Sequence, residues 1–345
     1  MASASIGAPG VWRAPSRLHA SWIISQQEDL TWFLGSSLVG YLALALMMAG
    51  TPVAPIQFVW FFLVDGPHVF ATITRTHLDS AERSKLGMFL WVTVPLMLIG
   101  PASVLAGYGS VFFLLAVCWQ QYHIVKQHLG FVMLYKAKNR EKSRTDLLVD
   151  RAFLLASLFV PLAYFVIRTR PQLSFLSDLT WIILPQYALL TTLWIGRQLQ
   201  KLRRHSQMNW PKIGLFLVVV PLQWFALVHA ASFGPDGIIR AGIVLGLFHS
   251  LQYHRLMWFH NRNRYGQEGA EEKHGLAARC ASNVWLYVAI GVVLNAVFCF
   301  VPGTLIGGPA LQAAVWGISF THYLLDGRIW SVRNDHELAE ALHLR

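Results

Sequence analysis

About ten apolar stretches, each roughly 20 residues long, leave this chain very few folds. A helix of about 20 apolar residues crosses a hydrocarbon core of roughly 30 Å, and inside lipid only helices or closed barrels satisfy their own backbone. The stretches cover residues 30–50, 56–75, 87–105, 109–135, 151–168, 179–198, 213–232, 237–261, 281–301 and 307–330. They predict an all-α fold, a polytopic membrane helical bundle of about ten transmembrane helices. Charged residues make up 13% of the 345, against roughly 25% in soluble domains. The bundle is expected over 30–332, between a polar N-terminal arm, 1–29, and a C-terminal tail, 333–345. The opening MASASIGAPGVWRAPSRLHASW has no apolar h-region before a cleavage site, so it reads as an arm and not as a secretory signal. Cys118, Cys280 and Cys299 lie in or beside apolar stretches, so neither a disulfide framework nor a thiolate metal site is expected.

Charge gives a separate view of the topology. With an even number of spans and the N-terminus in the cytoplasm, every Lys and Arg except Arg168, Arg170 and Arg240 falls on the cytoplasmic side, as the positive-inside rule requires. Both termini are then cytoplasmic, in a multi-pass protein of a bacterial-type inner membrane. The formal net charge of +11 is dispersed over loops facing anionic lipid, so nucleic acid is not an expected partner. Most aromatic residues read as bilayer-facing or interfacial.

The histidines carry the functional signal. His19, His205, His274, His336 and His343 sit in polar arms or loops, and His229 near an outer helix end. The other eight, His68, His77, His123, His128, His249, His254, His260 and His322, fall on the second, fourth, eighth and tenth stretches, in or just beyond the cytoplasmic half. A lone membrane histidine is usually a hydrogen-bonded helix contact, but ionisable groups inside a bilayer are functional candidates by default. Eight at one depth point to a shared site facing the cytoplasm.

Residues at i+3 and i+4 share a helix face. Asp65 and His68 are so placed, and His322 and Asp326 repeat the pair in reverse. His123 is followed by Gln127, and His249 by Gln252 and Tyr253. Buried carboxylates are expensive unless paired or metal-bound, and imidazole with carboxylate suits iron, zinc or manganese. His68, His123, His249, His322, Asp65 and Asp326 are therefore the expected ligands, the two aspartates also serving catalysis. His77, His128 and His254 are further candidates. The latter two follow a first-tier histidine by five residues, about 140° around the helix, so they would converge only through a π-bulge. Gln121-Tyr122-His123 also recurs as Gln252-Tyr253-His254.

The pattern His68 and His77, His123 and His128, His249 and His254, with His322, resembles the histidine-box integral-membrane oxidoreductases: fatty-acid desaturases, lipid hydroxylases and alkane monooxygenases. It is more distantly similar to the bacterial Brp/Blh-type carotene dioxygenases. The spacing differs, HxxxxH standing where the former show HxxxH and HxxHH. The resemblance implies iron, two ions in the histidine-box case, and O2-dependent hydroxylation, desaturation or oxidative cleavage of a lipophilic substrate. The first two reactions draw electrons from a separate ferredoxin or reductase, and basic cytoplasmic loops would dock an acidic one; cleavage needs no donor. The alternatives are a zinc-dependent membrane lipid hydrolase, a b-type cytochrome, which would leave Asp65 and Asp326 unexplained, and a proton-coupled transporter.

Overall fold

A computed structural model describes residues 20–204 and 206–344. Most of the N-terminal arm, with Arg13, Arg17 and His19, lies outside the described residues, as do His205 and Arg345. Every regular element among the described residues is helical. Ten long helices follow one another: α1 Gln26–Met48, α2 Val53–Thr76, α3 Ser80–Leu105, α4 Gly109–Lys138, α5 Arg144–Thr169, α6 Pro171–Arg203, α7 Trp210–Ala231, α8 Gly237–Tyr265, α9 Val284–Leu305 and α10 Pro309–Ile329.

Seven of these, α1, α2, α3, α5, α6, α7 and α9, are long and apolar enough to cross a membrane, as an integral membrane protein requires. The remaining three hold 30, 29 and 21 residues, roughly 45, 44 and 32 Å at about 1.5 Å each. Length is therefore sufficient in all ten. In α4, α8 and α10 the apolar run is broken by histidine, glutamine and either lysine or arginine.

Several helices start earlier than hydropathy suggests, because capping residues precede the apolar run. The Ser25 hydroxyl accepts from the Glu28 N–H, and buried Asp29 accepts from the N–H groups of Ile23 and Ile24 at 2.7 and 3.0 Å. The end of the expected arm is thus folded into α1. Ser143 caps α5 through the Asp146 N–H, and α6 opens with a 3-10 stretch, Pro171–Leu179.

Packing sets the depth at which polar side chains meet. α10 runs along α3, α9 along α2, α5 between α6 and α7, and α8 against α1, α2 and α7. Small residues let these backbones approach, as is usual for membrane helices. A Cβ on Gly317 would lie 2.5 Å from the Met97 Cα, one on Gly291 would press on Pro67, and one on Gly66 would overlap the Asn295 side chain.

The charged loops gather at one end. There Lys212, fully buried, reaches Glu141 at 2.9 Å and Asp150 at 2.8 Å, while Lys136 and Lys201 also hold Glu141. Arg264 on α8 holds Glu82 at 2.7 Å. Within the expected tail, a short helix, His336–Ala341, packs on α8 and buries Leu338. Asp79 sits between α2 and α3. Burial opposes its charge, but the Glu82 N–H, His274, the Tyr265 hydroxyl and the Arg264 charge outweigh it and hold the carboxyl below its ordinary range.

Two outcomes follow from this packing. Gly317→Leu would wedge α10 off α3 and lower stability by about 1–3 kcal/mol, read as a reduced thermal midpoint in detergent. Gly327→Leu, where a Cβ meets nothing within 4 Å, should leave the midpoint unchanged. Because the folded Asp79 pKa is depressed, its contribution is present above the unfolded value of about 3.8 and is lost as pH falls through the folded value. The midpoint gap between wild type and Asp79→Asn should therefore be largest near neutrality and close progressively below about pH 4.

Candidate metal centre

The site begins with a break in α2. Pro67 has no N–H to give the Leu63 carbonyl, and the turns before it widen into a π segment, Val59–Asp65. There the Gly66 N–H reaches back to the Phe61 carbonyl. That carbonyl also accepts from Asn295 Nδ2 at 3.0 Å, so the distorted backbone is satisfied from α9, as helices in lipid require. Gly66 is what lets Asn295 come so close. Immediately after the break His68 points into the bundle and is buried.

His68 on α2 meets His249 on α8, His123 on α4 and His322 on α10. Going round the circuit, ring centroids are 4.8 Å apart for His68 and His249, 5.1 Å for His249 and His123, 4.8 Å for His123 and His322, and 4.5 Å for His322 and His68. Across it, His68 and His123 are 6.5 Å apart. All four are buried. The Nε2 atoms of His68 and His249 stand 3.1 Å apart. His68 Nδ1, His249 Nδ1, His123 Nε2 and His322 Nε2 have no hydrogen-bond partner among the described residues.

These residues fit a metal ion. One ligand atom each from His68, His123 and His249 lie within 4.8 Å of one another, and the same holds for His123, His322 and Asp326. Two nitrogens about 2.0–2.1 Å from one ion stand at most about 4 Å apart, so closure onto an ion needs only small side-chain movements. Buried imidazole nitrogens without partners are otherwise unfavourable.

Around the circuit, a hydrogen-bond network fixes one ligand's tautomer. Asp326 Oδ1 accepts from Thr72 Oγ1 at 2.9 Å and from the Tyr253 hydroxyl at 2.8 Å. With its proton given to Asp326, Thr72 accepts from His322 Nδ1, 2.6 Å away. That places the proton on Nδ1 and leaves the Nε2 lone pair facing the other rings, the arrangement that orients metal-binding histidines.

The other expected ligands lie elsewhere. Asp65 belongs to neither close ligand group and accepts from Ser250 Oγ at 2.9 Å. His254 comes within 6.1 Å of the His68 ring, but Nε2 donates to the Val64 carbonyl at 3.0 Å and Nδ1 faces the Tyr287 hydroxyl at 3.1 Å. Both nitrogens are engaged, and His254 braces the π segment. His128 stacks on Phe248, and His77 caps α2 beside Thr76, nine residues along the helix from His68. Both α4 and α8 are regular α-helix throughout. The π-bulge that would have brought His128 and His254 round is not there; the π segment occurs in α2 instead. Gln127 and Gln252 tie backbones, donating to the carbonyls of His249 and Phe33.

Thr72 escaped the sequence reading, although its place one turn after His68 was a usable signal. Tyr323, stacked on His123 at 4.2 Å, and Asn295 had none. No family model, curated protein or solved structure matches the chain.

Thr72→Val should strand His322 Nδ1 and weaken the seat of Asp326, costing about 1–3 kcal/mol. Thermal unfolding in detergent should show that loss, and Thr72→Ser, which keeps the hydroxyl, should recover most of it.

Proposed function

We propose that this chain is a membrane-embedded non-haem iron oxidoreductase that uses O2 on a lipophilic substrate. The observation that carries the reading is the closed circuit of four buried imidazoles, His68, His123, His249 and His322, with its unpartnered ring nitrogens. In this reading all ten helices span the bilayer, both termini are cytoplasmic, and the circuit lies toward the cytoplasmic side. The basic loops support that orientation.

In this proposal the circuit holds one ion, where the histidine-box resemblance implies two. The four rings close on one another, while His77 and His254 are hydrogen-bonded elsewhere. His128, its Nδ1 also unpartnered among the described residues, stacks on Phe248 outside both close ligand groups. A single histidine-bound iron brings the proposal nearer to the carotene-dioxygenase likeness. Iron on neutral imidazoles with open positions supplies O2 activation.

The chain's own residues do the rest. Asp326, through Thr72, keeps the proton of His322 on Nδ1. Tyr253 steadies the same carboxylate. Trp119 and Phe320 stack at 4.5 Å, and Tyr323 covers His123. They make an aromatic wall between α4 and α10 for an apolar chain arriving from the bilayer. Oxidative cleavage would proceed with O2 alone, whereas hydroxylation or desaturation would draw on an acidic ferredoxin or reductase at the basic loops.

Iron and zinc quantification on detergent-purified protein tests the proposal. Wild type should carry about one iron per chain, and His123→Ala and His322→Ala should each lower occupancy at least about tenfold. Stoichiometric zinc without iron would favour a zinc-dependent lipid hydrolase. Full metal content in both variants would remove the circuit as the binding site.

A further inference from the structure

Arg75, near the end of α2, is the largest side chain with essentially no exposure among the described residues. Its Nε, Nη1 and Nη2 have no hydrogen-bond partner among the described residues. A guanidinium keeps its charge at any accessible pH, so burying it without a partner is strongly unfavourable. The Trp330 ring lies 4.6 Å from its centre, and a cation–π contact recovers only a small part of the lost hydration.

The surroundings make the imbalance sharper. Arg264 is close enough to act on Arg75 as a like charge, and its own Nε and Nη1 make no hydrogen bond. The nearby carboxylates are already engaged. Asp79 accepts from Tyr265 and from the N–H groups of Ala81 and Glu82. Glu82 holds Arg264 and Lys85, and Glu337 holds Arg264, Lys85 and Lys273. Asp326 is taken by Thr72 and Tyr253. Arg264, Lys85 and Lys273 thus share Glu82 and Glu337, and none of these carboxylates accepts a hydrogen bond from the Arg75 guanidinium. His260 is stationed beside Trp330 at 5.7 Å with Nδ1 bonded to Asn261 Oδ1, and it supplies no negative charge.

We infer that Arg75, backed by Trp330 and flanked by Arg264, is a buried binding site for a carboxylate. The planar fork of a guanidinium matches a carboxylate through two parallel hydrogen bonds, which would satisfy the nitrogens that no described residue reaches. An anion here also relieves the repulsion between the two guanidiniums. Seven residues separate Arg75 from His68, about 10 Å along the helix. The carboxylate would therefore sit on the charged-loop side of the imidazole circuit, within reach of the same lipid-length chain. It comes either from a small free acid or from the end of a lipophile. Only the second source rests on the function proposed above; the site itself uses none of the circuit's residues.

The test uses full-length protein in non-ionic detergent and carboxylate-free buffer, with acetate, palmitate and hexadecanol as probes. Wild type should gain at least about 2 °C in thermal midpoint at saturating carboxylate. Arg75→Gln should abolish the gain, and Arg75→Lys, which keeps the charge but not the fork, should weaken binding at least about tenfold. If Arg75→Gln does not fold, the Lys variant decides alone. Palmitate binding more than tenfold tighter than acetate, with hexadecanol inert, assigns the site to the end of a lipophile. Equal binding of the two acids assigns it to a small carboxylate. No response in wild type, or an unchanged response in the variants, overturns the inference. Iron content measured on the same samples is a separate readout, so failure of the metal proposal and failure of this one are told apart.

Discussion

Four imidazoles packed ring against ring inside an apolar bundle constrain the helices as much as the side chains. Each ring comes from a different helix, so α2, α4, α8 and α10 must agree on a common depth to within a fraction of a helical turn. Lipid offers no hydrophobic drive to bring them together; close backbone packing has to do it. The glycine contacts are placed where that matters. Gly317 brings α10 onto α3, while Gly66 and Gly291 bring α2 and α9 together on either side of Pro67. The π segment of α2 then re-aims the helix just before His68, and Asn295 Nδ2 donates to the Phe61 and Phe62 carbonyls within it.

Much of this was legible in the sequence because lipid leaves a simple record. The ten apolar stretches correspond one for one to the ten long helices, and the second, fourth, eighth and tenth carry the converging histidines. Hydropathy is weakest in α4, α8 and α10 for the same reason that they matter: His123, His249 and His322 and their polar neighbours interrupt the run. Spacing by three and four picked out His322 with Asp326 correctly as neighbours on one face. It was less informative for Asp65, whose partner Ser250 lies on another helix. The repeated Gln-Tyr-His triplet misled by register, since His123 joins the circuit while His254 turns to Val64 and Tyr287. Thr72 shares a face with His68 one turn earlier, but its role appears only when His322 and Asp326 arrive from across the bundle.

The charged end is built on a different principle. Lys212, Lys136 and Lys201 close on Glu141, Asp146 and Asp150 with little water contact. Buried ion pairs add little net stability over apolar packing, yet removing one partner is costly. Such a cluster therefore selects among registers: sliding α4, α5 or α7 by one turn would leave a charge alone. Around Arg264 the same logic joins α8 to the α2–α3 connection and to the C-terminal helix. The imidazole circuit is thus framed by contacts that do not share its residues.

The weak apolarity of α4, α8 and α10 bears on how the chain is made. In the ten-span reading, each follows directly on a strongly apolar helix, α3, α7 or α9. Helices whose apolar run is interrupted by polar and basic residues enter a bilayer poorly by themselves, so in that reading each depends on the preceding helix as the leading limb of a hairpin. His322 lies on α10, downstream of the helices that carry the other three rings, so the circuit cannot close until α10 has joined them.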